Sequence, residues 1–246
     1  MTKETKIALI TGANRGIGLE TARQLGKSGI TVVVGARSLA TAQKTATTLQ
    51  GEGIDAFPVQ LDVTNAADRR SAAKAVADKY GKLDILINNA GVGPEDGLLV
   101  PKTIETTEEE LQKVFGTNLF STIAVTREFL PLLKKSSAGR IVNLSSILGS
   151  LTLHADPNSP IAGSKLFAYD ASKTALNAFT VHLASELKGT NIKVNSAHPG
   201  WVKTEMGTEH ATMEIEDGAK TSVQLALLGA DGPNGRFIHM GQELPW

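Results

Sequence analysis

The sequence of 246 residues contains no cysteine and carries no excess of charge of either sign. Without cysteine the chain forms no disulfide framework, iron–sulfur cluster or thiolate zinc site. The 25 Lys and Arg balance 25 Asp and Glu, so the basic excess on which nucleic-acid binding depends is missing. The five histidines show no metal-ligand spacing such as H-E-x-x-H. We therefore expect neither a nucleic-acid partner nor a metal site.

Long hydrophobic runs are missing as well. The first strand-like run, residues 7–10, meets Gly12 almost at once, and no later run approaches the roughly 18 residues of a membrane span. We expect a soluble cytoplasmic protein that does not contact a membrane. No repeat, low-complexity tract or linker divides the chain, and α/β domains often reach about 250 residues. Residues 1–246 are therefore expected to form a single domain.

Short runs rich in β-branched residues or leucine recur along the chain and predict buried strands. Between them, apolar residues at three and four spacing predict helices. This alternation indicates an α/β fold with a doubly wound parallel sheet and helices on both faces. One stretch, residues 149–166, holds two Pro, two Gly and four Ser or Thr, and predicts a surface loop. The six predicted strands are residues 7–10, 31–34, 57–61, 83–87, 140–144 and 192–196.

Polar or glycine-rich residues directly follow each predicted strand. Ligands of open parallel sheets bind outside the carboxyl ends of the strands, so these residues are expected to line one long groove. The first of them, residues 11–18, has the spacing T-G-x-x-x-G-x-G. Glycines at such a turn let a pyrophosphate approach the backbone and sit at the positive end of the following helix.

The end of the second predicted strand indicates the cofactor. An NAD-binding protein would hold a carboxylate there for the ribose 2′-hydroxyl, whereas this chain has Ala36 followed by Arg37. Together with Arg15, Arg37 would embrace a 2′-phosphate, because guanidinium groups match phosphate geometry. The pattern favours NADPH/NADP+ as cofactor. Two solvated surface arginines are the alternative interpretation.

Tyr169 and Lys173 are four residues apart, which in a helix places them on one face. A phenol is a poor acid–base group at neutral pH, but an adjacent ammonium favours its ionised form and lowers its pKa. The Y-x-x-x-K pattern is common by chance. Two further residues support a functional interpretation of the pattern. Ser146 lies at the end of a predicted strand, and Asn118 lies in mid-helix, where helix propensity would not select Asn.

Together these motifs resemble those of the short-chain dehydrogenase/reductase family across nearly the whole chain. The glycine loop and residues 199–204 are most similar to its NADPH-dependent carbonyl reductase branch. The resemblance implies a Rossmann-type fold in which Tyr169 is the general acid that protonates a carbonyl oxygen and Ser146 holds that oxygen. It also implies that Lys173 binds the nicotinamide ribose and lowers the pKa of Tyr169, while Asn118 holds a water that relays protons to Lys173.

The resemblance further implies how the cofactor is bound. Asp62 would meet the adenine, residues 89–91 the adenosine ribose, and residues 199–204 the nicotinamide end. The cofactor-binding residues expected on this basis are Gly12, Asn14, Arg15, Gly16, Ile17, Gly18, Arg37, Asp62, Val63, Asn89, Ala90, Gly91, Tyr169, Lys173, Pro199, Gly200, Val202 and Thr204.

The leading hypothesis is NADPH-dependent reduction of ketones or aldehydes to alcohols by reversible hydride transfer. An NAD(P)-dependent alcohol dehydrogenase that acts mainly in oxidation is an alternative. A non-catalytic NADP(H)-binding sensor is another, which the complete set of acid–base residues disfavours. A sugar-nucleotide epimerase or dehydratase of the extended type would need a further substrate domain, and too few residues follow Gly200 to form one.

The substrate is expected to lie among residues 92–96, 148–153 and 201–213. Apolar, adaptable side chains predominate there, and Lys203 is the only cation, which favours uncharged ketones, diketones or aldehydes over keto acids and thioesters. The same side chains could instead pack inward as core. Relative to the family, residues 149–166 are an insertion beside the helices through which many relatives pair, so a homo-oligomer and a monomer both remain open. The apolar set is Leu148, Leu151, Leu153, Trp201, Met206 and Met213.

Overall fold

An eight-stranded sheet forms the middle layer of the computed structural model, which describes residues 5–93 and 102–246. The order of its strands is β3-β2-β1-β4-β5-β6-β7-β8. All neighbours pair in parallel except β7 and β8, which are antiparallel. The strands are β1 (Ile7–Thr11), β2 (Thr31–Ala36), β3 (Ala56–Gln60), β4 (Ile85–Asn88), β5 (Arg140–Leu144), β6 (Lys193–Ala197), β7 (Phe237–His239) and β8 (Gln242–Glu243).

Helices cover both faces of this sheet. The chain between α4 and α5 continues through a five-residue π-helical turn, Gly116–Phe120, and a short 3-10 turn, Ile147–Gly149, follows β5. The helices are α1 (Gly16–Lys27), α2 (Leu39–Gly51), α3 (Ala66–Tyr80), α4 (Glu108–Phe115), α5 (Ser121–Leu133), α6 (Leu151–Ala155), α7 (Phe167–Glu186) and α8 (Ile215–Ala226).

The continuous apolar runs of β1 and β2 are buried along their whole length, because helices lie on either side of them. Successive side chains point to opposite faces, so each strand supplies two cores. Ile10 packs with residues of α1, α2 and α8 on one face. Leu9 packs with residues of α3, α5 and α7 on the other. The predicted doubly wound α/β sheet with helices on both faces is confirmed.

All six predicted strands are present, but the structure extends the prediction in two places. Strands β7 and β8 were not predicted, because each has at most three residues and lies in a stretch rich in Gly and Pro. Residues 149–166 are not a surface loop throughout. They contain α6, because the Ser150 hydroxyl caps this helix by accepting from the Leu153 N–H, and both Ser150 and Ile161 are buried. No helix in the described ranges is long and apolar enough to span a membrane.

A chain of buried polar side chains connects the sheet to α5 and α7. Asn88 Nδ2 donates to Asn143 Oδ1 at 2.8 Å and to Thr126 Oγ1 at 3.1 Å. Asn143 Nδ2 donates in turn to Thr180 Oγ1 at 2.9 Å, and the Ser196 hydroxyl contacts the same atom at 2.8 Å. The hydrogen bonds join β4, β5 and β6 to the helix that carries Tyr169 and thereby fix its position over the strand ends.

Replacing Asn143 by Ala should lower the free energy of unfolding by about 1 to 3 kcal/mol, because buried polar groups lose their partner. Urea unfolding measures the change. The exposed Asn158 provides the control, since Asn158→Ala should change stability by less than about 0.5 kcal/mol. Equal unfolding midpoints for Asn143→Ala and the unaltered protein would show that the polar chain adds no stability.

Candidate active site

The four residues predicted to act in catalysis meet at the carboxyl end of β5. Ser146 lies two residues after this strand, and its hydroxyl is near enough to Tyr169, at the start of α7, to lower the pKa of that phenol. Lys173, one turn further along α7, places its Nζ 5.5 Å from the centre of the Tyr169 ring. Asn118 donates to the Ser172 hydroxyl at 3.0 Å and therefore contacts the same helix. The structure thus brings together side chains that are up to 55 positions apart in the sequence.

A close approach between two backbones makes this arrangement possible. The 3-10 turn after Ser146 packs directly on α7, where a Cβ atom at Gly149 would lie 2.8 Å from the backbone carbonyl carbon of Lys173. The carbonyl oxygen of Gly149 accepts from the Thr174 hydroxyl at 3.1 Å. Glycine is required at this contact, because any side chain would push the turn and its Ser146 away from Tyr169.

Burial controls the charge of Tyr169 and Lys173. It raises the pKa of Tyr169 to about 12; the hydrogen bond with Ser146 opposes this rise and the negative charge of Asp170 adds to it. Burial also lowers the pKa of Lys173 to about 8. At neutral pH Tyr169 is therefore a phenol with a proton to donate.

The expectation that Lys173 lowers the pKa of Tyr169 is wrong for the structure as it stands. The ammonium of Lys173 donates to the carbonyl oxygen of Leu144 at 2.8 Å instead of contacting the phenol oxygen. Desolvation of the phenolate outweighs the attraction of a cation at this distance, because a buried charge loses its hydration.

Asn118 occupies the π-helical turn and is buried. Its Oδ1 accepts from the Val92 N–H at 2.8 Å, and its Nδ2 donates to the Val92 carbonyl at 3.0 Å. A Cβ at Gly91 would lie 3.2 Å from Asn118 Oδ1 and 3.7 Å from Lys173 Nζ. Asn118 therefore clamps the segment after β4 against α7. Its role in holding a water stays a prediction.

The glycine loop leaves an anion site at the start of α1. Gly12 and Gly16 have φ of 63° and 53°, in the left-handed region that favours glycine. A Cβ at Gly18 would lie 2.4 Å from the Gly12 carbonyl oxygen and from Asn89 Nδ2. Arg15 at the N-cap makes no capping hydrogen bond, and the first turn of α1 holds no acidic side chain. The backbone N–H groups in the first turn of α1 are thus available to a phosphate.

The predicted adenosine end of the groove shows one contact that the sequence did not reveal. Arg15 pairs with Glu205 at 2.5 Å, and both side chains are largely exposed. Arg37 is exposed directly after β2. Asp62 accepts from the N–H and the hydroxyl of Thr64 at 2.9 and 2.7 Å. The contact between Glu205 and Arg15 could not be predicted, since the two residues are 190 positions apart in the sequence.

The segment after β6 folds back over the glycine loop. Val202 is buried and forms a bridge with Met213, while Gly200 adopts φ of 90°. Thr204 approaches the glycine loop, where its Cγ2 would lie 3.5 Å from a Cβ at Gly16. The predicted nicotinamide end is therefore next to the predicted pyrophosphate site.

His198 is a residue of the site that the sequence did not single out. Its Nδ1 accepts from the Ile147 N–H at 3.1 Å and so holds the backbone directly after Ser146. Burial and the neighbouring His239 lower the pKa of His198 to about 3, so the ring remains neutral and keeps its acceptor. A lone histidine at a strand end gives no signal of this contact.

None of the six apolar side chains predicted to line the substrate is buried in the core. Leu151, Trp201 and Met206 are exposed, which fits a wall better than core. Trp201 Nε1 donates to the Gly207 carbonyl at 2.8 Å. A Cβ at Gly93 would contact Met206 Cγ at 3.1 Å, so the segments after β4 and β6 adjoin. Residues 94–96, also predicted here, lie outside the described residues.

Comparisons with known proteins show which family the chain belongs to. A family model for short chain dehydrogenases matches residues 6–215. NADPH carbonyl reductase 1 of Mus musculus is 32% identical over 289 aligned positions that cover 100% of both chains. A 3-oxoacyl-acyl-carrier-protein reductase of Staphylococcus aureus is 32% identical over 230 positions, covering 93% of this chain and 87% of its own.

A solved structure shows the same fold. The NADPH-bound carbonyl reductase from chicken fatty liver superimposes with a TM-score of 0.86 at 27% identity, covering 99% of this chain and 100% of its own. The likeness extends over the sheet, the helices and the strand ends where the candidate residues meet. The chain is therefore an oxidoreductase that belongs to the short-chain dehydrogenase family.

Proposed function

We propose that the protein reduces ketones or aldehydes to alcohols with NADPH, in a reversible hydride transfer. The observation that carries this proposal is the meeting of Ser146, Tyr169 and Lys173 at the carboxyl end of β5, with Tyr169 held as a proton-bearing phenol and Lys173 buried beside it. A carbonyl oxygen that accepts from both hydroxyls would be polarised and supplied with a proton. Location in the cytoplasm and the choice between monomer and homo-oligomer stay predictions from the sequence.

The residues at the strand ends fit NADPH. The uncapped start of α1 offers N–H groups to the pyrophosphate. Because Gly18 has no Cβ, the glycine loop packs closely against Asn89 beneath that position. Arg15 and Arg37 would bind the 2′-phosphate. Asp62 and residues 89–91 would hold the adenosine, and residues 199–204 the nicotinamide end. Two relatives carry NADPH in their names.

NADPH, when bound along the strand ends, would supply the hydride that the carbonyl carbon receives. The pair of electrons of the carbonyl double bond then moves to oxygen, and Tyr169 gives that oxygen its proton, which leaves a phenolate and an alcohol. Ser146 donates a hydrogen bond to the same oxygen while negative charge develops on it. Lys173, with a pKa of about 8, can return a proton to the phenolate near neutral pH. Asn118 would hold the water that replenishes Lys173.

Two alternatives use the same residues. Alcohol oxidation requires Tyr169 as a phenolate, which its pKa of about 12 disfavours at neutral pH. The relative from Staphylococcus aureus favours a second candidate, reduction of a 3-oxoacyl thioester. Against this candidate, Lys203 is the single Lys or Arg in the predicted substrate walls, which is little positive charge for an acidic carrier. A non-catalytic sensor would not need the contact between Ser146 and Tyr169.

Cofactor preference should follow the two arginines. Charge-assisted hydrogen bonds to a phosphate contribute roughly 1.5 to 3 kcal/mol each, so kcat/KM with NADPH should exceed that with NADH at least about tenfold. The double change Ala36→Asp with Arg37→Ala should reverse this preference. Because Ala36 is buried, Arg37→Ala alone is the second variant, and it should reduce the preference without a change at the strand. Equal kcat/KM for both cofactors in the unaltered protein would contradict the assignment.

Turnover should depend on the Tyr169 hydroxyl. Tyr169→Phe keeps the ring and removes the proton donor, so kcat should fall by roughly 10²- to 10⁴-fold, while NADPH binding, measured by fluorescence titration, should persist. The matched control is Tyr80→Phe, since Tyr80 is the other tyrosine, lies at the end of α3 and has a buried hydroxyl without a hydrogen-bond partner among the described residues. Near-normal turnover of Tyr169→Phe would mean that another group delivers the proton.

Substrate class should follow the charge of the walls. An uncharged aromatic or cyclic ketone should show a higher kcat/KM than a keto acid or an acetoacetyl thioester of similar size, because Lys203 is the single Lys or Arg in the predicted walls and apolar side chains predominate there. Oxidation of NADPH, followed by absorbance, measures all three. A clear preference for the keto acid or the thioester would contradict the proposed pocket and favour the second candidate.

A further inference from the structure

The last residue of the sequence, Trp246, packs against the segment that follows Ser146. Its indole ring stacks on Phe237 of β7, with the ring centres 5.7 Å apart and the ring planes inclined by 18°. Its main-chain oxygen accepts from the Thr152 N–H at 2.9 Å and from the Ser150 hydroxyl at 3.2 Å. Trp246 therefore connects β7 to the start of α6.

The two groups that donate to Trp246 flank Leu151, which lies between them in the sequence. Leu151 is 63% exposed and belongs to the predicted substrate wall. Because the chain is held on both sides of Leu151, the direction of this side chain depends on where the oxygen of Trp246 lies. Leu153 of the same wall is held through the same group, since its N–H donates to the Ser150 hydroxyl at 3.2 Å.

The Ser150 hydroxyl is fully buried, which makes its contact with Trp246 specific. A hydroxyl has one proton to donate, and here that proton is directed to the oxygen of Trp246, while the hydroxyl oxygen accepts from α6. Displacement of Trp246 would leave this buried donor without its acceptor, which is unfavourable. Ser150 also follows Gly149, whose close contact with Lys173 fixes the other side of the same turn. The turn is thus held between α7 and Trp246.

The stacked ring places the oxygen of Trp246. The backbone is held to β7 at Leu244, whose N–H donates to the carbonyl oxygen of Phe237 at 2.8 Å. Trp246 lies two residues further on, so its position depends on its ring, which packs on the fully buried Phe237. Stacked aromatic pairs contribute to stability beyond the area that they bury. Loss of the ring would therefore free the oxygen from the two groups that donate to it.

We propose that Trp246 is a positioning residue that fixes α6 and thereby determines which substrates fit beside Ser146. Its effect on substrate choice rests on the proposed function and the predicted wall, whereas its contact with α6 does not. In this proposal the ring does not touch the reacting atoms, so proton donation and cofactor binding should persist without it. A bulky ketone that reaches Leu151 should depend on Trp246, and a compact ketone should not.

Hydrogen–deuterium exchange tests the contact with α6 in the absence of substrate and cofactor. Trp246→Ala should speed exchange in residues 150–155 at least about fivefold, because the Thr152 N–H loses its acceptor and the capping hydroxyl its partner. Trp246→Phe keeps a ring for the stack and should exchange like the unaltered protein. Residues 66–80 of α3 are the internal reference, since an overall loss of stability would speed exchange there as well. Unchanged exchange in residues 150–155 of Trp246→Ala, or an equal increase in α3, overturns the proposal.

Steady-state kinetics test the consequence for substrates. With a bulky aromatic ketone, Trp246→Ala should raise KM about tenfold and leave kcat within about twofold. With a compact aliphatic ketone, both constants should stay within about twofold, as should the affinity for NADPH measured from the fluorescence of NADPH itself. Trp246→Phe should restore the KM for the bulky ketone.

Leu227→Ala is the matched control for these measurements. It removes a partly exposed apolar side chain next to Leu228, whose carbonyl oxygen accepts from Arg140 at the opposite end of β5 from Ser146. This variant should change neither the exchange of residues 150–155 nor either KM. The same rise in KM for the bulky ketone in Leu227→Ala overturns the assignment to Trp246.

The two measurements separate this inference from the proposed function. Faster exchange in α6 of Trp246→Ala, in a protein that reduces no carbonyl compound, supports the contact of Trp246 with α6 and contradicts the proposed function. Carbonyl reduction with unchanged exchange supports the function and overturns the inference. Faster exchange with an equal change in KM for both ketones, or with a fall in kcat alone, overturns the role of Trp246 in substrate choice.

Discussion

Coverage of the sheet by helices on both faces is the constraint on which the rest of the molecule depends. Strands β1 and β2 are buried end to end, and their backbone groups are paired with neighbouring strands. Neither face therefore has room for a ligand. Chemistry is confined to the carboxyl ends of the strands, where the chain leaves the sheet and its next residues are free to be polar. The glycine loop, Ser146 and the segment after β6 all lie at this edge because the sheet excludes them elsewhere.

Desolvation is the second consequence of this packing. The contacts that place Tyr169 against Ser146 and Lys173 against the end of β5 also remove water from the phenol and the ammonium. Both groups are thereby driven towards their neutral forms, the tyrosine by a raised pKa and the lysine by a lowered one. A protein that must donate a proton at neutral pH benefits from the first shift. The second brings the lysine into the range where it exchanges protons readily.

The elements that the sequence predicted well are those specified by local pattern. Continuous apolar runs predicted six strands, and the glycine spacing predicted the turn into α1, because both patterns depend on neighbours in the chain. The contacts of His198 and Glu205 were not predictable, since each depends on a partner brought near only by folding. The prediction that the pKa of Tyr169 is lowered was wrong for a related reason. Sequence spacing shows which charge is one helical turn away, but it does not show how much water the fold removes.

The π-helical turn at Gly116–Phe120 has a consequence for how this part of the chain is compared with others. A π turn holds one residue more than the α-helical turn it replaces, and such turns are frequent at functional sites. Positions before and after it are therefore out of phase by one residue, although α4 and α5 run as one helix. A helical wheel drawn across the junction would assign the wrong face to α5. Removal of a single residue there would restore a regular helix and rotate Asn118 away from Val92, so the length of this helix, as much as its composition, is part of the site.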